Sequence, residues 1–480
     1  MDPEVGGSSP PSCTTQFGGR WHIIREKLSC FKTYDVRGRV GFDLDEKIAY
    51  RIGRAFAQHL DAKRIAIGCD ARLSSPSLKA ATVAGLLDAG ADVIDLGLTG
   101  TEEIYFASFH LDVDGGIEVT ASHNPADYNG MKFVGRKGRP LSIYQEFAAV
   151  QQLAEANIFE TPNARGHLSH ASILQPYVDH LLSYIDVKAL RPMKLVMDSG
   201  SGAAGHVIDA IEQRFEDLDV PVQFAKINHG PDGHFPNGVP NPLIPENRSI
   251  TSQAVKANAA DMGIAWDGDF DRCFLFDSTG EFVSGYYVAG LLMNLFLVRD
   301  SRSKFIIDPR LIWNSLDCVS GNGATVVPSR TGHTFFKEAM RRENAIYGGE
   351  SSSHHYFRDF AYCDSGMIPW LMIIEHLSKS KKSLREIVQV RKALFPCSEE
   401  INFKVRDVKG TLDKVQNHYR EHATHIDFTD GIGMEFENWR FNLRGSNTEA
   451  LLRLNVEARG NAELVEDKVK ELTRLIQHMP

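Results

Sequence analysis

Four short polar clusters carry the residue types from which chemistry is built. Thr120-Ala121-Ser122-His123-Asn124-Pro125 sets a hydroxyl beside an imidazole. A hydrolytic triad is a poor fit, because His must approach Ser across space and adjacent side chains rarely do so. The chain also has no G-x-S-x-G elbow. The plain alternative is a Ser/Asn/Pro turn. Asp267-Gly268-Asp269-Phe270-Asp271-Arg272 places three carboxylates at alternate positions. Such a set can converge on a hard divalent cation, and oxygen-only ligation favours Mg2+ or Ca2+ over zinc. An EF-hand is excluded, since its sixth position would be Arg272 rather than Gly and its twelfth Ser278 rather than Glu. Gly349-Glu350-Ser351-Ser352-Ser353-His354-His355 mixes a carboxylate, hydroxyls and imidazoles. That mixture suits sugar hydroxyls, which need alternating donors and acceptors, although a polar loop or a His pair for a metal stays open. Arg444-Gly445-Ser446-Asn447-Thr448, with Arg453 nearby, offers a forked donor and hydroxyls for an anion, or else a surface turn.

A fifth segment, Gly200-Ser201-Gly202-Ala203-Ala204-Gly205, is a full G-x-G-x-x-G between a strand and a helical stretch. A dinucleotide site also needs an acidic residue closing the next strand to bind ribose. That strand, VPVQFAKIN, is followed by His229, and the nearest acids, Asp217 and Asp219, precede it. The glycines read better as a tight turn and a close strand–helix approach.

The elements that must position these clusters alternate between strand and helix. Lys63–Asp70 reads as a buried strand. Before it, Ile48, Ile52, Phe56 and Leu60 repeat on one helical face. Pro76–Ala89 reads as a helix closed by Gly90, and Ala91–Gly97 and Gly116–Thr120 as strands. The pattern predicts α/β layers with largely parallel pairing. The same order recurs three times: a strand ending in Asp (Asp70, Asp198, Asp308), a helix and a second strand, then a third strand running into a polar cluster. Loops after strand C-termini form the ligand crevice of open α/β sheets, so the three clusters are expected at one shared site. After residue 393 a smaller α+β unit is expected, with a strand Leu451–Glu457 and a helix Ala462–Gln477.

The composition bounds the partners. Lys and Arg number 53 against 62 Asp and Glu, a formal net charge of −9, which makes a general nucleic-acid binder implausible. Ordinary fractions of charged (24%) and hydrophobic (42%) residues exclude wholesale disorder. Seven cysteines without a C-x-x-C argue against a disulfide scaffold or zinc ribbon, and fit a reducing compartment. The longest apolar run, Tyr286–Val298, is shorter than a bilayer span and reads as a buried helix. The Gly/Ser/Pro-rich first residues carry no signal-peptide pattern and are expected to be disordered, the fold beginning near Lys27. Length alone suggests about three domains at ~150 residues each.

Taken together, T-A-S-H-N-P, D-G-D-F-D-R, G-E-S-S-S-H and R-G-S-N-T, in this order, resemble the α-D-phosphohexomutase family in its phosphomannomutase/phosphoglucomutase branch. The likeness starts at Tyr34-Asp35-Val36-Arg37-Gly38 and covers nearly all of the chain after its first thirty residues or so. It implies four domains around a cleft: three related α/β units at 28–167, 168–280 and 281–393, and an α+β unit at 394–480, after an extension at 1–27. It implies a reversible transfer between mannose 6-phosphate and mannose 1-phosphate, through a phosphoserine and a hexose 1,6-bisphosphate, feeding nucleotide-sugar synthesis. Ser122 would carry the phosphate and, with Asp267, Asp269 and Asp271, bind Mg2+. His123, Lys132, Arg272 and His333 would assist catalysis. Tyr34, Arg37, Asn124, Gly349, Glu350, Ser352 and His354 would meet the substrate. Arg444, Ser446, Asn447, Thr448 and Arg453 would clamp its idle phosphate. The expected partner is a small hexose phosphate, with no nucleic acid or membrane, for a cytoplasmic monomer or weak dimer. Two departures stand out: Ala450 where Pro is common after S-N-T-E, and GESSSHH where GEMSGH is more usual. A phosphoglucomutase, a bifunctional enzyme or a phosphoglucosamine mutase is the same-chemistry alternative. A non-catalytic sugar-phosphate or nucleotide binder is the different-class one.

Overall fold

The computed structural model describes residues 27–321, 323–445 and 451–477. Four sheets organise them. The first comprises β1 (Val36–Arg39), β2 (Arg64–Cys69), β3 (Asp92–Leu98), β4 (Gly115–Val119), β5 (Tyr128–Gly135) and β6 (Leu168–His170), in the order β1-β5-β4-β2-β3-β6. The second comprises β7 (Met193–Asp198), β8 (Val222–Ile227), β9 (Met262–Trp266), β10 (Cys273–Phe276) and β11 (Phe282–Val283), in the order β11-β10-β9-β7-β8. The third comprises β12 (Lys304–Ile307), β13 (Thr325–Pro328), β14 (Tyr347–Gly349), β15 (His355–Phe357) and β16 (Cys363–Asp364), in the order β13-β12-β14-β15-β16.

The repeat expected from the sequence is present in the topology. In each sheet the strand that leads to the repeated Asp (β2, β7, β12) lies parallel between the second and third strands of its repeat. The third strand then turns back into an antiparallel neighbour (β5, β10, β15). The polar clusters occupy that turn in all three units, which is why they meet. The boundary expected at 167/168 is misplaced, because β6 pairs with β3 and completes the first sheet. All three residues of β6 are exposed, so no apolar alternation marks it. The fourth sheet is wholly antiparallel: β17 (Ile401–Lys404), β18 (His425–Asp427), β19 (Ile432–Glu435), β20 (Trp439–Gly445) and β21 (Leu451–Ala458), in the order β17-β21-β20-β19-β18.

Local signals set the helices. Asp45 caps the helix Glu46–Leu60 by accepting from the Ile48 N–H, and the buried face carries Ala49, Ile52 and Phe56. The helix Ser75–Asp88 is followed by Gly90 at φ 88°, a turn that a side chain would strain. The apolar helix Gly285–Arg299 is buried over most of its length, and among the described residues no helix is long and apolar enough to cross a membrane.

The cores explain how the units are joined. One large cluster runs through the first three units, from Ala66 and Ile104 through Phe270 to Trp370 and Phe395. The other face of each sheet has its own smaller cluster. The fourth unit packs around a separate core that includes Phe441, Leu454 and Leu472. It meets the third through polar groups: buried Arg440 bonds Glu457 and the carbonyls of Pro309 and Arg310, while the Ile312 N–H donates to Glu457. The described cysteines form no disulfide.

Candidate active site

Ser122 follows β4 in a left-handed conformation (φ 49°) and is 3% exposed. Its N–H donates to Thr120 Oγ1, whose hydroxyl donates to Asp70 Oδ2, so the end of β2 fixes the turn after β4. The guanidinium of buried Arg72 donates to the carbonyls of Ser122 (2.8 Å), Asn124 (2.6 Å), Pro125 (2.7 Å) and Tyr128 (3.0 Å). Four carbonyls of one loop are thereby gathered on a single side chain, the Pro125 carbonyl also accepting from the Tyr128 N–H. Ser122 Oγ donates to Asp267 Oδ2 at 2.8 Å and lies 3.0 Å from His123 Nδ1. The first and second clusters, 145 residues apart, are in contact.

Asp267, Asp269 and Asp271 are buried, and an oxygen from each lies within 4.8 Å of the others. Arg272 grips Asp267 through Nε (2.9 Å) and Nη2 (2.6 Å), and reaches His123 Nδ1. Lys132, on β5, places Nζ 2.8 Å from Asp269 Oδ2 and also bonds Asp271. Burial disfavours the charge on Lys132, but these two carboxylates outweigh it and hold its pKa above the ordinary range. Burial and neighbouring Asp269 push the Asp271 carboxyl up, as expected where the protein's own cations do not balance the negative charge. Asp269 Oδ1 and Asp271 Oδ1 are buried without a hydrogen-bond partner. An all-oxygen set with two orphaned lone-pair donors fits a hard cation such as Mg2+.

Groups from other units seat this loop. Thr101 donates to Asp269 through its hydroxyl (2.6 Å) and its N–H (3.1 Å). Phe270 is fully buried as a wedge, and Gly100 and Gly366 pass it so closely that a Cβ would sit 2.1 Å from Phe270 Cε1 and 2.4 Å from its carbonyl oxygen. The G-x-G-x-x-G segment belongs to the same packing. Gly202 runs against Gly268, and Gly200 (φ 58°) donates to Asp198. The residue closing the next strand, Asn228, also bonds Asp198, so the glycines serve a turn and a contact rather than a dinucleotide.

Across the cleft stands the third cluster. Glu350 is buried and accepts from the Gly332 N–H (2.9 Å) and the Tyr356 hydroxyl (2.6 Å); burial raises its pKa to about 7. His354 Nδ1 lies 3.2 Å from Ser352 Oγ, and its Nε2 lies 3.7 Å from Asp271 Oδ1. Asp271, His354 and Asp364 also converge, but Lys337 Nζ sits 2.8 Å from Asp364 and already supplies that carboxylate with a cation. Ser351 is committed to Asp308 through its hydroxyl (2.6 Å) and N–H (2.9 Å), and Gly349 is the buried end of β14. His333 packs edge-on to Tyr34 and lies 3.4 Å from Asp35, while Arg37 donates to the Thr120 carbonyl.

From the fourth unit, Arg444 and Arg453 face each other on β20 and β21, and both meet Glu400, at 3.1 and 3.2 Å. Ser446, Asn447 and Thr448 lie outside the described residues. A cleft of about 1280 Å3 is lined by Tyr34, Arg272, His333, Glu350, Arg444 and Arg453, among others, so all four units contribute to one cavity. The clusters singled out in the sequence therefore converge, as far as they are described.

Several neighbours were missed: Arg72, Thr101, Asp35, Glu400 and Arg310, which joins Arg444 and Arg453 at Glu400 (3.0 Å). One signal was available. Asp70-Ala71-Arg72 and Asp308-Pro309-Arg310 are the same D-x-R at the ends of corresponding strands. In both, the Asp accepts from the Arg N–H and from a hydroxyl after the third strand.

Family models for phosphoglucomutase/phosphomannomutase match four segments: alpha/beta/alpha domain I at residues 29–159, domain II at 175–280, domain III at 285–394, and the C-terminal domain at 400–475. A protein of Vibrio cholerae named phosphomannomutase is 56% identical over 460 residues, covering 95% of this chain and 99% of its own. A crystal structure of a phosphoglucomutase/phosphomannomutase family protein from Burkholderia thailandensis superposes with a TM-score of 0.82 at 29% identity, over 94% of this chain and 98% of its own. The N-acetylphosphoglucosamine mutase of Aspergillus fumigatus, solved with GlcNAc-6P and magnesium, shares the fold at a TM-score of 0.60 and 14% identity, over 94% and 96% of the two chains.

Proposed function

The chain belongs to the phosphoglucomutase/phosphomannomutase family, and from that premise we propose that it interconverts mannose 6-phosphate and mannose 1-phosphate. The observation that carries this reading is Ser122, its Oγ on Asp267 and in reach of Arg272, beside a cleft lined by its neighbour His123, by Arg272 and by arginines of the fourth unit. In the forward direction, phosphorylated Ser122 gives its phosphoryl group to O1 of mannose 6-phosphate. The P–Oγ bond breaks, a P–O1 bond forms, and the O1 proton passes to a base. The resulting 1,6-bisphosphate turns over in the cleft; the P–O6 bond then breaks as a P–Oγ bond re-forms on Ser122, and O6 takes up the proton, leaving mannose 1-phosphate. Phosphoryl transfer is governed by positioning and charge neutralisation rather than by covalent activation.

The side chains divide that work. Asp267, Asp269, Asp271 and a phosphoserine oxygen would hold Mg2+, which when bound neutralises charge on the transferring group. Arg272 adds a guanidinium beside Ser122, and Lys132 places an ammonium over the same carboxylates. Glu350, with its pKa near neutrality, is suited to accept from a sugar hydroxyl, with Ser352 and His354 beside it. Arg444 and Arg453 face the idle phosphate.

Arg72 is proposed to position Ser122. Lysine keeps the charge but cannot reach four carbonyls, so Arg72→Lys is expected to lower kcat by about 100-fold, the scale of a roughly 1 Å misplacement. The KM for sugar phosphate, set largely by the opposite wall, should change little, and steady-state kinetics beside a melting curve separates this from unfolding.

The substrate reading is tested by assaying mannose 1-phosphate, glucose 1-phosphate and glucosamine 1-phosphate side by side. Mannose 1-phosphate is expected to give the highest kcat/KM. Equal or greater turnover of the glucose epimer, which differs only at the 2-hydroxyl, would replace the proposal with a phosphoglucomutase or a bifunctional enzyme.

A further inference from the structure

Glu400 opens the fourth unit immediately before β17, and its carboxylate lies on the cleft wall beneath three guanidiniums. Oε2 meets Arg310 Nη1 at 3.0 Å and Arg444 Nη2 at 3.1 Å, and Oε1 meets Arg453 Nη1 at 3.2 Å. Each arginine gives it a single nitrogen. Arg310 has already committed Nε and Nη2 to Asp308, so only Nη1 points at this spot. Arg444 Nε lies 3.9 Å from Asp430, and Arg453 Nε is buried without a hydrogen-bond partner. Asp308, Asp430 and Glu400 together balance the charge of the three arginines. Burial disfavours the Glu400 carboxylate, but the guanidiniums outweigh it and keep the carboxyl below its ordinary range.

We propose that Glu400 is an internal competitor for this anion cradle, a carboxylate that an arriving phosphate must displace from Arg310, Arg444 and Arg453. The inference rests on reading the cleft as a sugar-phosphate site. Two features favour displacement over a passive backing role. The Glu400 side chain keeps 25% of its surface exposed, against 6% for Arg310 and 7% for Arg444, and lines the same cavity as the arginines. A phosphate dianion offers three oxygens and twice the charge to three converging forks, which a single carboxylate cannot match. The competitor would matter because the bisphosphate has to leave the cradle by one end and re-enter by the other. A carboxylate that refills the cradle lowers the free energy of the unclamped state.

Glu400→Gln keeps the shape and removes the charge. Inorganic phosphate, titrated calorimetrically into dephosphorylated protein, is expected to bind at least tenfold more tightly to E400Q than to the unaltered chain, about 1.4 kcal/mol. The gain should vanish in E400Q/R444A, which assigns it to this cradle rather than to the Ser122 side. Turnover should show the split of an over-tight clamp, with both KM and kcat reduced. Unchanged or weaker phosphate binding in E400Q would overturn the proposal and make Glu400 a support for the guanidiniums. Because the titration needs no turnover, it stays readable if the mannose assignment fails.

Discussion

Ser122→Ala stops turnover, by roughly 10^4-fold or more, the scale on which removing a covalent nucleophile acts. The hydroxyl can carry a phosphoryl group and sits against the carboxylate cluster, 2.8 Å from Asp267. The protein should stay folded. Alanine has the same Cβ in the same left-handed backbone, the loop remains pinned by Arg72, and Asp267 keeps both bonds from Arg272. The loss is the bond to Asp267 and the Oγ contacts with His123 Nδ1 and Arg272 Nη2, at about 1 kcal/mol per hydrogen bond. Intact mass adds a second measurement. The unaltered chain incubated with a hexose 1,6-bisphosphate should gain one phosphate, mapped to the Ser122 peptide, and S122A none. An S122A protein that still turned over would end the phosphoserine mechanism.

Asp269→Asn should uncouple the protein from Mg2+. In the unaltered chain, Mg2+ at 100 times its dissociation constant should stabilise the folded state by about 2.7 kcal/mol. In the variant, removal of a ligand should erase most of that shift at the same concentration. Asparagine is close to isosteric and can still accept from Thr101, but it removes the charge that buried Lys132 pairs with at 2.8 Å. The metal-free variant should therefore melt below the metal-free original, and the test is the size of the Mg2+ shift in each protein rather than the melting temperature itself. Turnover should fall by about 100- to 1000-fold or more, the cost of removing one preorganised electrostatic contact. Thermal melts with and without Mg2+ after chelation carry the test, and a full Mg2+ shift in D269N would remove Asp269 from the ligand set.

The parts of this site legible in the sequence were those written as local patterns. Ser122, the three alternate Asp residues and Glu350 each follow a strong apolar strand, and that conjunction predicted their meeting. The strand-ending Asp residues, at 70, 198 and 308, mark the threefold repeat in the sequence itself. What stayed hidden depends on contacts between distant elements. Arg72 in a loop looks like any surface arginine until four carbonyls close over it. Glu400 sits in an acidic pair on a connecting segment, and only the approach of two units sets arginines against it. β6 escaped notice because an exposed edge strand has no buried side to imprint on its sequence.

Phe270 and its two glycine neighbours bear on how natural variation in this protein should be read. Gly100 belongs to the first unit and Gly366 to the third, and both close on the loop of the second. Neither is a proposed ligand, base or nucleophile, and a comparison of site residues alone would pass over a change at either. Yet an alanine there has nowhere to go except by lifting Phe270, and the three aspartates move with it. Such alleles would behave as catalytic nulls with an intact set of catalytic residues, and a smaller side chain at position 270 would relieve the clash with the ring at Gly100 but not that at Gly366, which meets the backbone of Phe270 and Arg272.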